Sequence, residues 1–482
     1  MADNTTRREF VKLAASSAAG AALGLGSDHT ADAVGRPIGV PSHLPERLAI
    51  CYYGWDWITS ALPDEPYGDL ERAMVETKER GFNCVRPEMG LNWMFDLQGR
   101  RRGKLRFLDW IPGASFNLHC VDGKGGGEHD VFERVLRLFE LADKHGLYVI
   151  MTEWEYQDAM AHTADARIRD EIIGVPYNDR LMLLARHYDR LLAALRKRGW
   201  HKRIASVELI NELNMPPIVC SRAGAPRQTF AEWVEGKLPD PVCPTERVRE
   251  LADQAVAFLR ERHPDLLVTV DGLVAGPGFS QLFPASAQIA DHHVYSDGIT
   301  QAFWRQAGVS LGARQAPDAA AKPFRDSMFK PNPMTWEEVV RRATHVRKDW
   351  WSIAWLYTNL DNAKFDRWCV EHYPEYRQRI KNSIETRFQA ASSFARARNL
   401  PLVVDEGFIL YPPLHSRFVA TAEGREGEEF GVNAAIATGH WGIMLSGYFR
   451  PNTPVWKDAG QCQWARSVNA RILGSAQPAR NS

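Results

Sequence analysis

Val207-Glu208-Leu209-Ile210-Asn211-Glu212-Leu213-Asn214 is an apolar run that stops on an amide beside a carboxylate. It reads as a buried β-strand ending abruptly in Asn211-Glu212. A second ending of this kind comes late in the chain, at Pro401-Leu402-Val403-Val404-Asp405-Glu406-Gly407. In a parallel β/α barrel the carboxyl ends of the strands carry the chemistry. The remaining sequence is therefore read for strands and helices that bring Glu212 and Glu406 to one mouth.

Six further strands frame these two. Leu48–Tyr53 is the first, followed by a helix with Leu70, Ala73, Met74 and Thr77 on one face. Phe82–Glu88 is the second. A long loop containing Gly125-Gly126-Gly127 leads to a helix with Val135, Leu138, Phe139 and Ala142 in phase, capped by Gly146. Leu147–Met151 is the third and runs into Thr152-Glu153-Trp154-Glu155. The Asn-Glu strand is the fourth, Leu267–Asp271 the fifth, and Gln288–Tyr295 the sixth. About a hundred residues precede the seventh strand, which carries Glu406, far more than a barrel connection needs. Trp441–Ser446 is the eighth. Eight short apolar strands alternating with helices predict a (β/α)8 TIM barrel with long βα loops. The Trp-rich helical insertion, about 296–375, is expected to wall or cover the barrel mouth. An open doubly wound sheet is the alternative, but no Gly-rich phosphate loop follows the first strand.

The 482 residues balance 59 basic against 59 acidic side chains, which gives no reason to expect nucleic acid or an anionic membrane as partner. No stretch beyond the N-terminus is apolar enough for a membrane span. Thr6-Arg7-Arg8-Glu9-Phe10-Val11-Lys12 and the Ala/Gly/Ser-rich run behind it look like a twin-arginine export signal over residues 1–33. Residues 34–482 then form a single periplasmic or extracellular domain. Seven cysteines include no Cys-x-x-Cys pair, which argues against a zinc site. Cys51 and Cys84 are expected as buried thiols, and Cys220 with Cys243 as a disulfide after export. Oligomeric state is not legible.

Two strand-end glutamates are the minimum equipment for glycoside cleavage: one protonates the leaving oxygen, the other attacks the anomeric carbon from about 5 Å away. An amide at Asn211 suits a sugar hydroxyl beside the reacting carbon. Arg86 and Tyr295 are placed to hydrogen-bond the attacking carboxylate. His293 and Tyr295 share a strand face, while His292 points away.

The order Arg86 on the second strand, Asn211-Glu212 on the fourth, His293-x-Tyr295 on the sixth and Glu406 on the seventh resembles the clan of retaining (β/α)8 glycoside hydrolases that includes family 5 cellulases and mannanases. More narrowly it resembles a cellulase-like, sugar-binding branch. The resemblance implies Glu212 as acid/base and Glu406 as nucleophile. Asn211 would sit on the sugar 2-hydroxyl, with Arg86, His293 and Tyr295 orienting the site. It also implies an oligosaccharide or polysaccharide substrate and no metal or organic cofactor. The chain departs from the pattern at Glu153-Trp154-Glu155, where a His-containing motif is usual, and at Ser446-Gly447-Tyr448, where a stacking Trp is usual. Trp154 or Tyr448 is the expected replacement platform.

Two other readings compete. One is a cellulase-like barrel that binds sugar without cleaving it. The other, a metal-dependent hydrolase, needs a ligand cluster that the sequence does not display at its strand ends. Long loops after the second, fourth and sixth strands favour a closed pocket for short oligosaccharides or chain ends.

Overall fold

The Asn-Glu strand lies inside a single closed ring of parallel strands. The computed structural model describes residues 37, 39–54, 56–109, 124–154, 163–213, 245–273, 283–296, 298–310, 316–342, 351–409, 412–413 and 415–474. The expected export signal, Glu155, Asn214, and the proposed Cys220–Cys243 pair lie outside these residues.

The barrel strands are β1 (Leu48–Gly54), β2 (Cys84–Pro87), β5 (Tyr148–Met151), β6 (Ile204–Glu208), β7 (Val268–Thr269), β8 (Asp271–Leu273), β9 (Ala290–Tyr295), β10 (Leu402–Phe408) and β11 (Gly442–Met444). Their order is β7-β6-β5-β2-β1-β11-β10-β9-β8, parallel throughout. β7 and β8 are halves of one stretch broken only at Val270. β7 pairs with β6 through Val207 and Val268, and β8 pairs with β9 through Asp271 and Asp291. The single run 268–273 therefore joins both edges and closes an eight-stranded barrel. The strands are almost entirely buried, as expected where helices cover the outside and side chains fill the inside.

Helix phasing follows the sequence. Val135, Leu138, Phe139 and Ala142 are buried on the helix Val131–His145, which Asp130 caps at its start and left-handed Gly146 at its end. The glycine loop after β2 is different from the expectation. Lys104–Asp109 (β3) and Gly125–Asp130 (β4) form an antiparallel ribbon, with Gly125, Gly126 and Gly127 at φ 67°, 83° and 88°. Three consecutive glycines in a strand carry no hydrophobic period, so the pattern gave no sign of one.

The segment between β9 and β10 is helical, as expected. It comprises Ile299–Gln306, Lys322–Met328, Trp336–Arg342, Trp351–Asn359 and the 37-residue helix Asn362–Arg398. Its tryptophans pack on one another and on neighbouring rings. Trp336 meets Trp355 edge-on, Trp304 donates to the Tyr357 hydroxyl at 2.8 Å, and Trp368 stacks on His372. They build the core of the insertion. Cys51 and Cys84 are buried free thiols, whose pKa values burial raises. No helix among the described residues is long and apolar enough to cross a membrane.

Candidate active site

The regular β6 ladder ends at Glu208, earlier than the sequence suggested, but the backbone continues under control. Leu209 N bonds Thr269 O at 2.9 Å and Asn211 N bonds Glu153 O at 2.8 Å. Glu212 then adopts φ 51°, unusual for a residue with a side chain. Two bonds hold it there: its N–H donates to Asp271 Oδ2 at 3.0 Å, and Leu213 N donates to Asp271 O at 3.1 Å. The turn swings the Glu212 carboxyl into the mouth.

On the facing side, β10 carries a bulge. Val404 registers with His292 and Glu406 with His293, leaving Asp405 as an extra residue. Successive side chains on a regular strand point opposite ways. The bulge turns both Asp405 and Glu406 inward. Glycine is required at the next position, because a Cβ on Gly407 would stand 2.6 Å from Val294 O.

Arg86 sits fully buried among these acids. Its Nη2 donates to Glu208 Oε2 at 2.9 Å and to Asn211 Oδ1 at 2.7 Å. Its Nε lies 2.5 Å from Asp405 Oδ2, and its Nη1 reaches Glu406 Oε2 at 3.4 Å. Trp154 covers the guanidinium, 4.7 Å from ring centroid to Cζ, and is itself buried. His293 is the second cation. Its Nδ1 is 3.0 Å from Glu212 Oε1, and its Nε2 is 2.6 Å from Asp271, 3.3 Å from Glu406 and 3.4 Å from Asp405. The Tyr295 hydroxyl donates to Glu406 Oε1. One oxygen of Glu212 and one of Glu406 lie within 4.8 Å of each other, and a ring nitrogen of His293 falls inside the same limit.

Burial opposes charge on both cations, yet the carboxylates overcome it. Asp405, Glu208, Glu406 and Asp271 raise Arg86 well above its ordinary value, and Asp271 and Glu406 raise His293. Among the acids, burial raises Glu212 against the opposing hydrogen bond and charge of His293. Burial pushes Glu208 up to about 8 and Asp291 well above the carboxylate range, with Asp405 adding like-charge repulsion to both.

The structure thus gathers Arg86, Asn211, Glu212, His293, Tyr295 and Glu406 in one place. His292 points outward, as the alternation required, and bonds His440 at 2.8 Å. Trp154 joins the site as a cover on Arg86, with little of its ring exposed. Tyr448 follows Gly447, whose N–H bonds Gly407 O at 2.7 Å, which puts it beside the Glu406 strand end. Glu153 is buried, and its Oε2 accepts from Leu91 N at 3.0 Å.

Glu208, Asp271, Asp291 and Asp405 were not singled out from sequence. Together with the glutamates and His293 they make three groups whose ligand atoms lie within 4.8 Å of one another: Glu212–His293–Glu406, Asp271–His293–Asp405 and Glu208–Asp291–Asp405. This corrects the reading that the strand ends lack a cluster of metal-ligand type. Arg86, however, reaches an acid of every group. Its permanent charge supplies the compensation a metal would give and repels a second cation at this range.

No family model and no curated protein sequence matches the chain. Solved structures do. A putative glycoside hydrolase from Parabacteroides distasonis aligns over 90% of this chain and 97% of its own, at 15% identity and TM-score 0.60. The endo-1,4-beta-D-mannanase of Thermotoga petrophila covers 88% and 99% at 11% identity and TM-score 0.44. A glycoside hydrolase family 5 mannosidase from Rhizomucor miehei covers 89% and 94% at 12% identity and TM-score 0.42. The likeness to the Parabacteroides distasonis protein, at 15% identity, is one of fold, in keeping with the (β/α)8 barrel described above.

Proposed function

We propose that the protein is an exported glycoside hydrolase that acts with net retention, with Glu212 as acid/base and Glu406 as nucleophile. One observation carries the reading: carboxyl oxygens of Glu212 and Glu406 approach within 4.8 Å at the barrel mouth. An approach this close is in keeping with the separation of about 5 Å for direct attack. An inverting pair stands roughly 6.5–9.5 Å apart to admit water.

Glu406 attacks the anomeric carbon while Glu212, its protonated form favoured by burial, gives its proton to the departing oxygen. The sugar is then held as an ester on Glu406. Water, deprotonated by Glu212, attacks the same carbon and releases Glu406. Tyr295 and Arg86 orient the attacking carboxylate, and His293 orients Glu212. Asn211, its oxygen fixed by Arg86, presents its amide to the sugar 2-hydroxyl. Trp154 acts through Arg86, which leaves Tyr448 as the candidate stacking platform. The substrate is a glycan.

The test is incubation with 2,4-dinitrophenyl 2-deoxy-2-fluoro β-glucoside and β-mannoside, followed by peptide mass mapping. A fluorosugar ester on Glu406, lost in Glu406→Gln, is expected. Sugar binding without turnover or ester would sink the enzyme reading in favour of a binding protein.

A further inference from the structure

Asp405 has no part in the steps just described, yet it is the acid nearest Arg86 Nε and it faces the same His293 nitrogen as Glu406. It is there because of the bulge, which adds one residue to β10 immediately before Glu406. A regular strand would send Asp405 out toward the helices. Two neighbouring acids therefore draw on the same two cations. Arg86 lies 2.5 Å from Asp405 and 3.4 Å from Glu406, while His293 Nε2 lies 3.4 Å from the first and 3.3 Å from the second.

We infer that Asp405 is a positioning residue that takes Arg86 away from Glu406, leaving the attacking carboxylate only partly neutralised; this rests on the retaining reading above. The physical reason is competition. A carboxylate clamped by a guanidinium is well stabilised as an anion and correspondingly weak as a nucleophile. Asp405 takes the close contact, Glu208 takes two guanidinium bonds at 2.9 and 3.1 Å, and Glu406 is left with one longer contact at 3.4 Å. Its remaining partners are His293 Nε2 at 3.3 Å, which it shares with Asp405 and Asp271, and the Tyr295 hydroxyl, which orients without adding charge. The charged and titratable groups around Glu406 are Arg86 from β2, Glu208 and Glu212 from and beyond β6, Asp271 from β8, and Asp291, His293 and Tyr295 from β9. Asp271 and Asp405 both touch the two cations, and of the two Asp405 is the one that shares the backbone of Glu406.

The test separates the two chemical steps. The same fluoroglycosides report ester formation as the rate of inactivation and ester breakdown as the rate of reactivation. In Asp405→Asn, Arg86 transfers to Glu406, making it a poorer nucleophile and a better leaving group. Inactivation is expected to slow several-fold while reactivation quickens, and the acid limb of the kcat/KM profile is expected to move about one pH unit lower. A loosened site would slow both steps together. Asp405→Ser provides the same readout should the Asn variant not fold. Parallel slowing, or unchanged rates in a variant whose wild type forms the ester, overturns the role of Asp405 alone. Absence of ester in the wild type overturns the retaining reading and this inference with it.

Discussion

Tyr295 donates its hydroxyl hydrogen to Glu406; the two come from adjacent strands, Tyr295 lying two residues beyond His293, the register partner of Glu406 after the bulge. A hydrogen bond to a charged group is worth about 1.5–3 kcal/mol. If it is made chiefly as Glu406 attacks, Tyr295→Phe should lower kcat/KM by roughly 10- to 100-fold with little change in Tm. Steady-state kinetics on an aryl glycoside and a melting curve check both halves. Unchanged kinetics would mean that the hydroxyl serves packing alone.

Glu212→Ala should divide substrates by leaving group. A dinitrophenyl glycoside departs without a proton, so the ester should form at a near-normal rate and then accumulate for want of a base. A glycoside with an alkyl leaving group should lose roughly 10²–10⁴-fold in kcat/KM. Azide, which needs no base, should restore turnover of the dinitrophenyl substrate. Equal losses on both substrates would remove Glu212 from the acid role.

The limits of sequence reading are visible in the same residues. The sixth-strand alternation that put His293 and Tyr295 on one face also puts Asp291 there, one step earlier, and Asp291 is indeed inside. Glu208 and Asp271 likewise sat on or at the end of strands read as buried, where an acid demands a partner. These three were legible had buried polarity been followed as closely as the Asn-Glu ending. Asp405 was not. Period-two logic assigns it the face opposite Glu406, and only the bulge overrules that. Barrel closure through Val270 is also a pairing fact, absent from any local pattern. The glycine half of the ribbon was hidden for the opposite reason, since Gly125–Gly127 have no side chains to show a period, whereas Leu105 and Phe107 of β3 do alternate and were legible.

Gly407 marks a close strand contact that no other residue fits. A Cβ at 2.6 Å from Val294 O forces β10 away from β9. Gly407→Ala should therefore lengthen the Tyr295–Glu406 contact and depress kcat well beyond its effect on KM. Its melting temperature should also fall by several degrees. Wild-type activity in a folded Gly407→Ala protein would show that the site tolerates this shift.

Arg86 tests the electrostatic account most severely. Removing one partner from a buried charge network costs about 3–5 kcal/mol, because the remaining charges stay buried without compensation. Arg86→Met should destabilise the fold by that order and abolish ester formation. Stability should partly return in Arg86→Met/Asp405→Asn, which removes a like charge along with the cation. A double variant no more stable than the single one would contradict the pairing.

Glu428 gives the pH dependence of stability a sign. It is buried behind the Glu406 strand, where it accepts from Phe408 N at 3.1 Å and Ser446 Oγ at 2.8 Å. Burial pushes it up to about 8, against an unfolded value near 4.5. A group whose folded pKa is raised contributes stability that is complete below the unfolded value and is lost as pH rises through the folded one. Glu208, also at about 8, acts in the same sense. The contribution of these two acids to unfolding free energy should thus decline between about pH 4.5 and 8 and then level off. Glutamine mimics the protonated acid and cannot ionise, so Glu428→Gln should flatten that decline by several kcal/mol on the linkage arithmetic. Denaturant melts across this pH range measure it, and an unaltered slope in the variant would mean that Glu428 is ionised in the folded protein.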